Sequence, residues 1–517
     1  MREQDLLVSS AVMAGIDEAA REKLGIPGAV LMENAGRGAW EVLRRVLHTE
    51  KNDLSPGPLV FCAGPGNNGG DALVMARWAL MEEEFPLAVV TSRASLGAAA
   101  TAQWDILERM GVTRLVWDEE PVLVKELLGR ARMIVDGLSG TGLAGALRGS
   151  LVSLVEAMNA SPAPIAAVDL PSGFRDGPDP ADPRVQADVT IVTGYLKLSL
   201  FTPLGRPGAG RLFQVDPGFP PALVRDARDS GDTDRFQVRL VNPEDLPVPL
   251  VPADAHKGMR GRVGVIGGAP GTEGAPLLAG LGALYGGAGM VRICSGGGQA
   301  AGGYDPSLMV SSDTRESRNE TVAWASALVI GPGWTGASRE DLQELLQEAR
   351  ERSLPVVADA QALRLLGEDL LSGGGGGDSS RGGGFPLILT PHPGELSAML
   401  GWSVRDLACN PWEGLRRTVE TCSAVVVLKG AVTFVADPGG QITLFDGRCP
   451  ALATAGSGDV LAGLVGAFCA AGMEASKAAR TAVAIHLRAG RHLASQRGWF
   501  TARDLARSLG TFSGGLS

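Results

Sequence analysis

Nowhere does this sequence carry a dense block of lysine and arginine, and its formal net charge is −10. A surface that wraps a polyanion needs the opposite balance, so nucleic acid is excluded as a partner. Cysteine is sparse too, with Cys62, Cys294, Cys409, Cys422, Cys449 and Cys469 scattered and never paired at short spacing. That excludes a zinc site or a disulfide framework and leaves reduced core thiols. Long hydrophobic runs are missing as well. The longest uncharged stretch, Gly274 to Val291, is broken by repeated glycines, which suits a buried helix ending in a turn better than a membrane span. The first residues lack the basic-then-apolar pattern of a signal peptide, and charges return at Asp17, Glu18 and Arg21. The protein is expected to stay in the cytoplasm, clear of membranes.

Glycine is what the chain has in plenty. Its 72 glycines, a hydrophobic fraction of 45% and few aromatics describe an α/β protein with many tight strand-to-helix turns. At 517 residues it exceeds what one core supports, about 250–300 residues, so two domains are expected. The composition shifts at Arg225 to Arg235, charged and turn-rich, and then at Pro243 to Pro252, rich in proline. These shifts predict a first domain over 1–225 and a linker over 226–255, running into a second domain over 238–517. The segment 372–384 is nearly all glycine and serine, and is expected to be a flexible insert.

In the first half, an amphipathic stretch from Ile16 to Leu24 and a helix from Leu31 to Val46 precede the apolar strand Leu59–Ala63. A glycine loop, Gly64 to Asp71, then leads into a helix over Ala72 to Leu80. Strand, glycine loop and helix form the phosphate-binding arrangement of doubly wound folds, although the dinucleotide pattern GxGxxG is absent. Asn67, Asn68 and Asp71 add oxygen ligands for a cation and amide donors for a polar ligand. The strand Met133–Val135 runs into Asp136 and a glycine turn, and Ile165–Val168 stops on Asp169, followed by Ser172. Open α/β sheets hold ligands at this edge, so these loops should converge there. After the strand Val189–Val192 comes Lys197, whose amine either faces the same edge or is solvated at the surface. Glu33 and Asn34 read equally as a site contact or a surface cap.

The second half repeats the strand-to-loop beat. Strands ending on glycine, acid or proline occur before Gly267, Gly331-Pro332-Gly333, Asp359, Pro391 and Lys429. His392 and Glu395 are fixed by two prolines, and a histidine held in that way favours a ligand contact, with a structural turn as the alternative. Near the end, Ala453 to Asp459 is a small-residue loop running into the apolar helix pattern Val460 to Phe468. Bare glycine N–H groups and a helix dipole make an anion cradle. A carboxylate inside it, Asp459, fits a catalytic base that takes a proton from an attacking hydroxyl, or a plain helix cap.

The motifs GPGNNGGDA, VDGLSGTG and VDLPSG, with the lysine after the next strand, closely resemble the epimerase domain of the bifunctional NAD(P)H-hydrate repair enzymes. HKG, GGAPGTEGAP, GPG, TPHPGE, LKGAVT and AGSGDVLAG resemble the ADP-dependent dehydratase domain of the same family. The resemblance implies an N-terminal Rossmann-like, doubly wound domain followed by a C-terminal ribokinase-like α/β domain. It further implies that Asn67, Asn68, Gly69, Gly70, Asp71, Gly140, Thr141, Gly142, Leu143, Ala144, Gly145, Ala146 and Asp169 bind the hydrated nucleotide. Asn68, Asp136 and Ser172 would hold potassium, and Asp169 would be the acid/base residue, with Lys197 assisting. In the second half, Ala275, Gly333 and His392 would contact the hydrate, while Lys429, Gly430, Ala431, Val432, Thr433 and Gly458 would hold the adenine nucleotide, with Asp459 as base. ADP would phosphorylate the hydrate's hydroxyl, phosphate would then leave to restore NADH or NADPH, and magnesium would accompany ADP. Members of the family often carry a bulky apolar residue where this chain has Ser139, which is expected to alter pocket shape. They often read Asp-Ala-Asp where it has Asp359-Ala360-Gln361.

Partners are thus the hydrated cofactors and ADP, with a homo-oligomer as the common case for such enzymes. Two alternatives stay open on the residues alone: a ribokinase-type small-molecule kinase in the second half, and a binding module without catalysis in the first.

Overall fold

The computed structural model describes residues 6–50, 54–223, 237–248, 250–296, 305–371 and 386–516. The chain divides into two compact units, Met1–Asp234 and Arg235–Ser517. The glycine-rich segment 372–384, expected as an insert, lies outside the described residues, as does the charged run Arg225 to Arg235.

The first unit is built on a seven-stranded sheet in which every pairing is parallel. Its strand order is Arg114–Val116, Leu87–Thr91, Leu59–Ala63, Met133–Gly137, Ile165–Val168, Val189–Thr193, Arg211–Val215. Leu59–Ala63 pairs with Leu87–Thr91 on one side and with Met133–Gly137 on the other. The winding direction therefore reverses between the first and fourth strands in chain order, where doubly wound sheets open a ligand crevice. The central strands are buried along their whole length, as a sheet covered on both faces requires, which is why they read as unbroken apolar runs. The two edge strands went unread because Arg114–Val116 is short and Arg211–Val215 mixes polar with apolar residues.

The helices depart from expectation at a place that matters. The first begins at Ser10, where the Ser9 side chain accepts from the Val12 N–H, and the second spans Gly28–Thr49. The stretch expected as a glycine loop, Gly64 to Asp71, is mostly helix: Asn67–Glu82 starts directly after Gly66. Gly69 and Gly70 are there for close approach rather than for turning. A Cβ on Gly69 would lie 2.0 Å from the Gly64 carbonyl oxygen, and one on Gly70 would lie 2.6 Å from the end of Met32. Asn68 and Asp71 consequently project from a rigid helix instead of a loop.

The second unit carries a ten-stranded sheet. Arg262–Ile266 lies between Met290–Ser295 and Ala327–Ile330, so the order reverses here as well. Beyond Ala327–Ile330 follow Val356–Ala358, Leu387–Leu389 and Val425–Leu428, all parallel. Val432–Ala436 and Gln441–Asp446 then extend the sheet with antiparallel pairings. Gln237–Leu240, within the stretch read as linker, closes that edge in parallel with Gln441–Asp446.

Two helices of small apolar residues, Gly274–Tyr285 and Ser457–Ala470, pack on this sheet. Neither has a polar face, as befits helices covered all round. Pro276 sits in the first turn of one, where its missing N–H breaks no helical bond. The two helices touch backbone to backbone: a Cβ on Gly463 would lie 1.8 Å from the Ala279 carbonyl oxygen, and one on Gly282 would lie 2.3 Å from that of Val460. This contact fixes where both helices begin, and both begin on residues expected to be functional.

Gly463→Ala should therefore destabilise the second unit by about 3 kcal/mol or more through overpacking. Gly15, in the helix Ser10–Glu22, has nothing within 4 Å of its missing Cβ; Gly15→Ala should stabilise the first unit by about 0.5–1 kcal/mol. Urea denaturation of each variant reads both signs, and a tolerated Gly463→Ala would contradict the close packing.

Candidate active sites

At the carboxyl edge of the first sheet, Asp169 follows its strand with φ at +65°, a left-handed conformation that costs a non-glycine residue roughly 1–3 kcal/mol when held. The turn aims its carboxylate into the crevice. One oxygen accepts from the Lys197 ammonium and from Thr193 Oγ1 at 3.0 Å, and the other accepts weakly from the Thr141 N–H at 3.4 Å. Lys197 is fully buried. It reaches this position because Leu196–Lys197 pairs in parallel with Leu7–Val8, and its amine also donates to the Thr193 carbonyl at 2.6 Å. The alternative of a solvated surface lysine is thereby overturned.

Asp136 is completely buried at the end of its strand. It accepts from the Ser172 hydroxyl at 2.6 Å, the Ser172 N–H at 2.7 Å and the Leu138 N–H at 3.2 Å. Burial pushes its pKa up to about 6, against the lowering effect of those bonds. Asn68 donates its amide to the Ser139 carbonyl at 2.9 Å, and the Ser172 hydroxyl also lies 3.2 Å from that carbonyl. Ser139 therefore joins Asn68 to Ser172, and its own hydroxyl accepts from the Gly173 N–H at 3.2 Å. Its side chain braces the loop. The Asn68 Oδ1 atom is buried without a partner. An orphaned amide oxygen beside a buried carboxylate and a hydroxyl is a donor set suited to a hard monovalent or divalent cation.

Gly140 lies between Asn68 and Asp169: a Cβ there would sit 3.1 Å from the Asn68 amide carbon and 3.1 Å from Asp169 Oδ2. Its bareness keeps the crevice open. From Thr141 to Ala146 the loop is half-buried to exposed, and nothing stands within 4 Å of a Cβ on Gly142 or Gly145. Glu33 lies well inside its helix and pairs with Arg77 and Trp78, while Asn34 donates to the Pro217 carbonyl; both are structural.

In the second unit, Asp459 occupies the first turn of Ser457–Ala470, after Gly456 with φ at +87°. No side-chain hydrogen bond caps this helix, so Asp459 is not its cap. Burial, then the nearby Asp359 and Glu395, push its pKa up to about 7, with Lys429 opposing them. Lys429 Nζ pairs with Asp359 at 2.7 Å, and Asp359 also accepts from Thr390 Oγ1 at 2.9 Å. Burial works to lower the Lys429 pKa, but Asp359, Glu395 and Asp459 outweigh it and raise it. A Cβ on Gly458 would lie 3.3 Å from the Lys429 amine. Lysine, glycine N–H groups and acid thus meet at one point. Asp359 and Glu395 were not among the expected site residues, although Asp359 carries the same signal as Asp136 and Asp169, an acid closing a buried strand.

Elsewhere around this pocket, Gly333 has φ at +62° and faces Ala275, whose Cβ would be 3.1 Å from one on Gly333. His392 is the N-cap of Pro393–Leu400: its Nδ1 accepts from the Gly394 and Glu395 N–H groups while its ring stays exposed. The structural-turn alternative accounts for Nδ1, while Nε2 lies 3.4 Å from Glu395 Oε1 on the exposed side of the ring. Gly430 and Ala431 are exposed, whereas Val432 and Thr433 are buried, and Thr433 Oγ1 closes the turn onto the Gly430 carbonyl at 3.1 Å. Gln361 opens the helix after Ala360, whose φ is +49°.

All six cysteines are free, and burial pushes the thiols of Cys294, Cys422 and Cys469 up to about 12. Among the described residues no group of His, Cys, Asp and Glu forms a ready metal cage, and no helix is long and apolar enough to cross a membrane.

Comparison with known proteins agrees with this division. Residues 263–510 match the family described as NAD(P)H-hydrate dehydratase, and residues 28–199 match the YjeF-related protein N-terminus. The chain is similar to the bifunctional NAD(P)H-hydrate repair enzyme of Moorella thermoacetica, at 33% identity covering 95% of this chain and 93% of that protein. It is likewise similar to that of Escherichia coli, at 34% identity covering 87% of this chain and 82% of that protein. Among solved structures, an ADP/ATP-dependent NAD(P)H-hydrate dehydratase from Bacillus subtilis aligns at 26% identity and a TM-score of 0.42, covering 52% of this chain and 93% of that one.

Behind the second pocket, His486 lies buried with Nε2 3.0 Å from the Ser457 carbonyl. Burial, helped by Lys429, pushes its pKa down to about 4. A histidine kept neutral in the folded state stabilises fully above its unfolded value of about 6.5, and that stability drains as pH falls toward 4. The second unit should lose about 3 kcal/mol over that window on this account. His486→Asn should flatten the dependence, as read from urea midpoints; an unchanged slope would contradict the assignment.

Proposed function

The chain belongs to the bifunctional NAD(P)H-hydrate repair enzymes, an epimerase joined to a dehydratase acting on hydrated NADH and NADPH, and from that premise we propose how its residues divide the work. In the first unit Asp169 is the acid/base group, held by Lys197 beside the crevice. Asn67 to Asp71 and Gly140 to Ala146 bind the hydrated nucleotide. Asn68, Asp136 and Ser172 hold a potassium ion, which would add a fixed positive charge at the crevice; the orphaned Asn68 oxygen supports this.

In the second unit Ala275, Gly333 and His392 contact the S form of the hydrate. Lys429 to Thr433, with Gly458, hold ADP so that its terminal phosphate rests on the N–H groups at the start of Ser457–Ala470. The hydroxyl of the hydrate attacks that phosphate and forms the new O–P bond as AMP leaves, while Asp459 takes the hydroxyl proton. Phosphoryl transfer asks for positioning, neutralised charge and an oriented nucleophile: the glycines and Lys429 supply the second, Asp459 the third. Phosphate then departs with the C–O bond, the neighbouring carbon gives up a proton, and the reduced nicotinamide is restored. Magnesium carried in by ADP would be held chiefly by phosphate and water. The protein works in the cytoplasm as a homo-oligomer, the common arrangement for enzymes of this size.

One observation carries this reading: an acid raised toward neutrality stands at a helix N-terminus beside the partly buried Lys429. Asp459 must be ionised to act, so dehydration should rise as pH climbs through about 7 and level above it. Asp459→Asn should cut the rate by about 10²–10⁴. Incubating hydrated NADH with ADP while following recovery of the reduced nicotinamide absorbance measures both. A stable phosphorylated product without recovered absorbance would instead identify a small-molecule kinase.

A further inference from the structure

We propose that Asp71 is the acid partner of Asp169 in epimerisation, giving a proton to the ring nitrogen of the hydrate while Asp169 takes one from its hydroxyl. This rests on the epimerase reading of the first unit and adds a role beyond substrate contact.

Asp71 stands three residues after Asn68 in the helix Asn67–Glu82, so the two share a face. That face looks onto Asp169, because a Cβ on Gly140 would touch both the Asn68 amide and the Asp169 carboxylate at 3.1 Å. The environments of the two acids differ. Asp169 accepts from an ammonium, a hydroxyl and a peptide N–H. Asp71 makes no side-chain hydrogen bond to any described residue. Other enclosed carboxylates of this unit have structural work: Asp136 accepts from Ser172, and Asp182 pairs with Arg175. Asp71 has none.

The charged groups facing Asp71 are Asp169, Asp17 from the helix Ser10–Glu22, and Lys197. Burial, and then the two carboxylates, raise its pKa well above the usual carboxylate range, with Lys197 pulling the other way. Two acids in unlike surroundings at one crevice form the arrangement in which one keeps its proton and the other accepts one.

The chemistry balances with no other reactant. The hydrated carbon carries a hydroxyl and is bonded to the ring nitrogen. Asp169 removes the hydroxyl proton, the C–O bond becomes C=O, the C–N bond breaks, and the nitrogen takes the proton from Asp71. Rotation about the adjacent C–C bond presents the opposite face of the aldehyde. The nitrogen attacks, its proton returns to Asp71, the oxygen recovers its proton from Asp169, and the carbon has inverted.

The test uses the full chain and a single epimer of hydrated NADH, with chromatography resolving the two forms over time. Asp71→Asn should lower kcat about 100-fold or more, leave KM within about threefold, and lack the fall in rate expected of the wild type as rising pH strips the proton from Asp71. Asp71→Glu, which keeps an acid, should recover part of the rate, and serves if the asparagine variant fails to fold. A raised KM with kcat intact, or an unaltered fall with rising pH, overturns the proposal. A wild-type chain that leaves the epimers unmixed would sink the epimerase reading itself.

Discussion

In each unit a lysine holds an aspartate at the carboxyl edge of a parallel sheet: Lys197, fully buried, with Asp169, and Lys429, partly buried, with Asp359. Removing both charges from solvent costs more than their mutual attraction reliably returns, so such pairs are weak sources of stability. Strain accompanies them: Asp169 itself and Ala360, next to Asp359, have φ values of +65° and +49°. Features that are costly to fold and cluster at strand tips point to chemistry, which needs charges fixed in place before the substrate arrives.

The surroundings of each pair explain how the sequence sustains it. In the first unit a short parallel ribbon, Leu7–Val8 with Leu196–Lys197, carries the lysine inward. Ser172 and Ser139 knit two strand-end loops together beneath the crevice. In the second unit the decisive element comes from far along the chain. The helix Ser457–Ala470 brings its N–H groups and Asp459 to the lysine because glycines let it lie against Gly274–Tyr285. One device places a carboxylate among donors; the other places it at a helix N-terminus, where negative charge is favoured.

Much of this was legible in the sequence. Strands covered on both faces are continuous apolar runs, and the acids that end them, at 136, 169 and 359, fall where open sheets hold ligands. Other features were not legible, for identifiable reasons. Glycine serves turning and close packing alike, so Gly69 and Gly70 suggested a loop where a helix had begun. Lys197 looked like any lysine after a strand, because its burial depends on residues far away in the chain. Ser139 acts largely through its backbone, which no side-chain pattern announces. The His392 ring divides between capping and solvent, and a sequence does not record which nitrogen is already taken.

The claim that each chemistry hangs on its own paired lysine is tested by measuring both reactions in Lys197→Met and in Lys429→Met. The first should lose epimerisation and the second dehydration, each by about 10²–10³, with the other reaction little changed. A lysine variant that keeps its own reaction at full rate would contradict the account.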